Sequence, residues 1–256
     1  MDETRKDVII RVRGLVTRIG GALIHDKVDL DVNRGEVLAV VGGSGSGKSL
    51  LLRSIVGLMQ PASGSVEVFG RDISALDEAK FRDLQRHWGV LFQEGALFSS
   101  QTVAENVQVP LREFTSMPQE LMNEVAAMKL SMVGLPEDAA AKYPSELSGG
   151  MKRRAGLARA LALDPEVVFL DEPTAGLDPI AANRFDELIR GLQKSLDLTV
   201  FMVTHDLDTL MATADRIAVL SDRKLKVGTI DSLREDPDPW IKEYFSGPRG
   251  RAARAS

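Results

Sequence analysis

The 256-residue sequence predicts an α/β fold: a mostly parallel sheet with helices on its faces, an N-terminal antiparallel β portion, and an inserted α-helical subdomain. Three observations lead there. The apolar run at residues 37–41 passes straight into a glycine-rich loop and then into a helical pattern. Strand-like and helix-like segments alternate again from residue 167 onward, as a parallel sheet requires. Between Ala104 and Ala162 the β signal fades and helical patterning takes over.

Taken in order, residues 8–12, 28–32 and 37–41 are short β-type runs separated by Gly and Asn turns. Residues 48–58 read as a helix whose apolar positions are Leu51, Leu52, Ile55, Val56 and Leu58. Strands are expected at 65–69 and 88–92, and helices at 118–133 and 150–163 within an insert spanning about 100–163. The alternation resumes with a strand at 167–170, a helix at about 180–196 and a strand at 199–203. One domain is expected over residues 5–246. The basic tail 247–256, with Arg249, Arg251 and Arg254, reads as a solvated disordered end or as a contact for a membrane surface or partner.

Composition narrows the classes. A chain with 44% hydrophobic residues buries a sizeable core. Its net charge of −5 argues against a general nucleic-acid binder. No cysteine is present, which removes disulfides and cysteine-ligated metals and is compatible with a reducing compartment. No segment reaches the ~18 consecutive apolar residues of a membrane span. The first ten residues carry no secretory pattern.

Gly42, Gly43, Ser44, Gly45, Ser46, Gly47, Lys48 and Ser49 match the phosphate-loop pattern G-x-x-x-x-G-K-[ST] between a strand and a helix. Such a loop turns backbone N–H groups onto phosphates, and the following helix adds its positive end. Lys48 brings a mobile charge to the outer phosphates, and the Ser49 hydroxyl is a magnesium ligand in such loops. The core is therefore expected to be a P-loop NTPase. A second element is the strand 167–170 followed by Asp171 and Glu172. Asp171 is placed to hold magnesium and Glu172 to polarise an attacking water, whereas the same pair without a phosphate loop is an ordinary solvated turn. A third is Leu147, Ser148, Gly149 and Gly150 before a helix, a serine-glycine anion site or, alone, a routine N-cap.

Together with Gln93, the run Ala175-Gly176-Leu177-Asp178 and His205, these segments follow the order found in ABC transporter ATPase subunits, which the chain resembles over essentially 5–246. The resemblance implies an ATPase in which two copies dimerise head to tail. Each ATP would lie between one chain's residues 42–49, with Leu50 and Gln93, and the partner copy's signature serine and glycines. It implies Ser49, Gln93 and Asp171 as the magnesium site and Lys48, Glu172 and His205 as catalytic, with His205 on the γ-phosphate. His25 and His87 read as structural. Two departures stand out: Met151 where most members carry Gln, and Ile19 where an aromatic residue usually stacks on adenine. The second implies weaker adenine selectivity.

Within that family, residues 91–98, 103–107, 110–113, 147–154 and Asp236-Pro237-Asp238-Pro239 resemble the ATPases of MCE-associated lipid transporters of the Mla type. This implies phospholipid traffic between inner and outer membranes. The partners implied are an MlaE-type permease, a periplasmic MCE protein and a small STAS-domain protein, with the ATPase peripheral on the cytoplasmic side of the inner membrane. The segment 172–178 departs from the better-known Mla ATPases and leaves room for another hydrophobic substrate. A nutrient transporter of the same superfamily is the nearest alternative; a soluble ABC protein acting on DNA or ribosomes fits the acidic balance poorly. Ala96, Leu97 and Phe98 are read either as a docking patch for the permease or as core.

Overall fold

The structure, a computed structural model, describes residues 7–246; the predicted tail 247–256 and positions 5 and 6 lie outside the described residues. The chain divides into two compact units, residues 1–81 with 199–256, and residues 82–198.

The first unit opens with an antiparallel hairpin of two twelve-residue strands, β1 (Val8–Ile19) and β2 (Ala22–Asn33). These strands outrun the apolar segments from which they are predicted. Cross-strand pairing carries them on to Ile19 opposite Ala22, with shifts of register on both sides of Leu15. β3 (Val37–Gly42) follows, then α1 (Lys48–Ile55), β4 (Ser63–Val68) and the two-residue β5 (Arg71–Asp72). β1 also pairs antiparallel with β4, and β4 with β5, giving the order β2-β1-β4-β5. The predicted antiparallel β portion is therefore present.

α1 stops three residues before the predicted Leu58. Gly57 takes φ 77, and two backbone bonds close the end: Gly57 N–H to Ser54 O at 3.3 Å and Leu58 N–H to Arg53 O at 2.8 Å. A left-handed glycine with that bonding pair is a Schellman stop, and it leaves Leu58 on the surface at 61% exposure.

α2 (Glu78–Gln85) runs from the first unit into the second. The second unit holds β6 (Trp88–Leu91), α3 (Val103–Phe114), α4 (Gln119–Met132), α5 (Gly149–Ala160), β7 (Val167–Asp171) and α6 (Pro179–Leu196). α3 begins in a capping box, with Thr102 and Glu105 each bonding the other's backbone N–H. α3, α4 and α5 pack on one another as the predicted helical insert, while β6 and β7 pair in parallel.

The chain then returns to the first unit with β8 (Thr199–Val203), α7 (Leu207–Thr213), β9 (Arg216–Ser221), β10 (Lys224–Gly228), α8 (Ile230–Arg234) and α9 (Pro239–Ser246). β3 pairs in parallel with both β8 and β9, and β10 closes the edge antiparallel to β9. All six residues of β3 and all five of β8 are buried. Continuous apolar strands of this kind belong to a sheet covered on both faces. Ala39, Val41, Ile217 and Val219 form one core with Leu207, Leu210, Leu233, Ile241 and Phe245 from the three C-terminal helices.

Candidate active site

β3 ends at Gly42, and the next residues fold back over the start of α1. Ser46 N–H bonds Gly43 O at 3.2 Å, and Gly45 and Gly47 take φ 74 and 104. Gly47 is the N-cap of α1 and supplies no side-chain cap. The leading N–H groups of the helix therefore face the loop as an anion site. Lys48 is 9% exposed and donates from Nζ to Gly42 O at 2.9 Å and Gly43 O at 3.1 Å, so its ammonium lies folded over the loop it serves. Ser49 and Leu50 continue the first turn of α1.

His205 lies in the same unit, just beyond β8, and is exposed. Its neighbour Thr204 donates its N–H to Val40 O at 3.1 Å, and Tyr244 Oη donates to the carbonyl of His205 at 3.2 Å. The phosphate loop and His205 thus leave the carboxyl ends of adjacent parallel strands, where α/β sheets place their ligands.

The second unit repeats that placement. Gln93 follows β6, while Asp171 ends its parallel partner β7 and Glu172 follows it. Asp171 is 5% exposed at the strand end. Glu172 adopts φ 52, a left-handed backbone uncommon for a residue with a side chain and found where a site imposes it. The Gln93 turn is held by Arg159, which donates to Gly95 O and Ala96 O, each at 2.9 Å. Burial pushes the Arg159 pKa down from its usual high value.

Ser148 is the N-cap of α5 and accepts from Met151 N–H at 3.3 Å. Ser148 and Gly149 are exposed, and Gly150 is partly so. One turn on, Arg153 reaches back to donate to Ala175 O at 2.7 Å, tying the signature helix to the loop 175–178. Asp178 then caps α6 by accepting from Ala181 N–H at 2.9 Å. A cleft of about 600 Å³ opens here, lined among others by Gln93, Gly149, Arg153, Gly176 and Leu177.

Each unit thus groups its own part of the expected site: residues 42–50 with His205 in the first, and Gln93, residues 148–150, Asp171 and Glu172 in the second. Ile19 ends β1 at 48% exposure, an apolar surface where an aromatic ring would be expected. His25 is fully buried beneath the loop and His87 is on the surface. Arg153 and Arg159 escape sequence reasoning because each acts on a backbone carbonyl far along the chain. No group of three or more His, Cys, Asp or Glu side chains that would hold a metal by themselves occurs among the described residues.

Comparison with known proteins agrees with this geometry. Residues 25–175 match the family described as ABC transporter. The chain is 39% identical over 240 residues to an intermembrane phospholipid transport system ATP-binding protein, MlaF, of Haemophilus influenzae, covering 93% of this chain and 90% of that one. It is 37% identical over 243 residues to a probable ribonucleotide transport ATP-binding protein, mkl, of Mycobacterium leprae, covering 94% and 70%. Among solved structures, a dimeric ATP-binding cassette, MJ0796, bound to ADP and Pi superposes with a TM-score of 0.79 at 30% identity, covering 86% of this chain and 98% of that one. The structure of cbiO1 from Clostridium perfringens, part of the ABC transporter complex cbiONQ, gives 0.81 at 28% identity, covering 98% and 99%.

Proposed function

The chain belongs to the ABC transporter family as one of its ATP-hydrolysing subunits, and on that premise we propose that it drives phospholipid movement between two membranes by closing and opening a head-to-tail dimer around ATP. The observation that carries the reading is the near full-length likeness to the phospholipid-transport relatives.

In this reading the amides of residues 42–49 and the N-terminus of α1 cradle the triphosphate, with Lys48 on its outer oxygens. Leu50 and Gln93 complete the pocket on the same chain. A second copy lays its signature Ser-Gly-Gly against the other face of the nucleotide. Glu172 accepts a proton from the attacking water as the water's oxygen bonds the γ-phosphorus and the bridging oxygen leaves with ADP. His205 donates to the γ-phosphate and senses its loss. A positioned general base of this kind contributes about 10²–10⁴ in rate.

Ser49, Gln93 and Asp171 offer a hydroxyl, an amide carbonyl and a carboxylate, the hard oxygen donors that suit Mg²⁺. Bound there, the ion would neutralise phosphate charge and fix the phosphate oxygens. No described helix is long and apolar enough to cross a membrane. An MlaE-type permease, a periplasmic MCE protein and a STAS-domain protein are the partners proposed, which places this chain on the cytoplasmic face of the inner membrane.

Phe98 supports that docking. Asn106 is fully buried and clamps the Phe98 backbone, accepting its N–H at 2.8 Å and donating to its carbonyl at 3.1 Å. Phe98 is nevertheless 50% exposed. It lies beside a cleft of about 370 Å³ lined among others by Trp88, Pro110, Phe114 and Arg159. The second reading, transport of a nucleotide or another solute, is favoured by the mycobacterial relatives named for ribonucleotide transport. Purifying the tagged chain from membranes and identifying what accompanies it separates the two. A permease with bound phospholipid supports the first reading, and a periplasmic solute-binding protein contradicts it.

A further inference from the structure

Behind the phosphate loop lies a polar pair that the sequence reading treats as structural. Thr17 and His25 stand opposite each other across the β1–β2 hairpin, and both are fully buried. Thr17 Oγ1 is 2.6 Å from His25 Nδ1. The other ring nitrogen, Nε2, is shut off from water and makes no hydrogen bond of regular geometry. A buried, unsatisfied polar atom is costly and asks for an explanation.

Nε2 is aimed at Gly47, the N-cap of α1: a Cβ built on Gly47 would lie 2.8 Å from Nε2 and 3.3 Å from Cε1. Burial lowers the imidazole pKa below its usual value, and the Gly47 backbone offsets part of that. The ring is therefore neutral, with one nitrogen donating and one accepting. When Thr17 donates its hydroxyl to Nδ1, the proton sits on Nε2 and faces Gly47. The Gly47 carbonyl already accepts Leu51 N–H at 2.9 Å and retains a second lone pair.

We propose that His25 is a positioning residue of the phosphate loop: with its tautomer set by Thr17, Nε2–H closes onto the Gly47 carbonyl when the loop tightens around the nucleotide's phosphates. The pair thus favours the phosphate-bound conformation rather than the fold as such. This rests on the reading of residues 42–49 as the nucleotide's phosphate site.

The test uses the full chain and two readouts: the urea unfolding midpoint without nucleotide, and the Kd for Mg-ATP by competition with a fluorescent ATP analogue. His25→Leu removes the orphan nitrogen, so its midpoint should equal or exceed that of the parent while Kd rises about fivefold, the size of one net hydrogen bond. His25→Gln keeps an amide N–H at the same reach and should restore Kd to within about twofold. Thr17→Val frees the tautomer and should raise Kd with the fold intact; it gives the reading if His25→Leu does not fold. An unchanged Kd in a folded His25→Leu or in Thr17→Val would overturn the proposal. So would a midpoint and affinity that fall together in His25→Leu with no recovery in His25→Gln. Lys48→Ala serves as the control. If it binds Mg-ATP normally, the phosphate-site reading itself fails; if it loses binding while the His25 variants do not, only this inference fails.

Discussion

Replacing Gly47 by Ala strikes the phosphate loop through its backbone. At φ 104 the residue occupies a region that side chains disfavour, which costs about 1–3 kcal/mol. The added methyl would also come within 2.5 Å of Ile24 Cγ2 and 2.8 Å of His25 Nε2, both in the tightly paired hairpin. Overpacking of that order costs a further ~1–3 kcal/mol. The expected loss is about 2–6 kcal/mol in urea unfolding. Because this residue is the N-cap of α1, Mg-ATP affinity should fall by at least about tenfold, equivalent to roughly 1.4 kcal/mol. Gly43→Ala is the internal comparison: its Cβ would meet nothing within 4 Å, so its stability should change by less than about 0.5 kcal/mol. If Gly47→Ala matched Gly43→Ala in stability and bound nucleotide normally, the close packing described for the loop would be wrong.

Glu172→Gln should lower turnover by about 10²–10⁴ while ATP affinity stays close to the parent, measured by steady-state hydrolysis and nucleotide titration. Equal loss of binding and turnover would remove the general-base role. Leu97→Ser with Phe98→Ser should separate ATP hydrolysis from transport in the reconstituted transporter while the isolated chain keeps its unfolding midpoint, since Asn106 holds the loop without the ring. A collapse of stability would instead assign these residues to the core. His25 also sets a pH dependence. Its folded-state pKa is lowered, so the unfolded chain binds this proton more readily, and stability is lost as pH falls below about 6.5. Unfolding titrations of His25→Leu should therefore show a shallower loss between about pH 7 and 5, by at most ~1.4 kcal/mol per pH unit. An identical slope would mean that the buried imidazole does not titrate differently on folding.

The strand, loop and helix around residues 42–49 were legible because their determinants are local. A buried strand, glycines at positive-φ positions and a lysine at fixed spacing leave few alternatives. The same holds for β7, whose apolar run ends in two carboxylates, and for α6 and β8, whose predicted limits agree with the structure to within a residue. Features set by distant partners were not legible. The extension of β1 and β2 depends on cross-strand pairing, and the Thr17–His25 pair depends on register shifts near Leu15 that no periodicity reveals. The end of α1 turned on Gly57, whose left-handed backbone outweighed the apolar pattern running on to Leu58. Arg159 reaches the Gln93 turn from more than sixty residues away. The edge strand β10, with Lys224 and Lys226 exposed at alternate positions, offers too short an alternation to read, and the short helices α7 to α9 are held by a core shared with β3 and β9.

The dependence of ATP turnover per chain on protein concentration tests most directly whether two copies share each nucleotide. Turnover per chain should rise with concentration and level off as dimers fill, and Ser148→Arg should stay low throughout while still binding Mg-ATP. A rate per chain that is constant down to dilute protein, with Ser148→Arg fully active, would contradict the shared site.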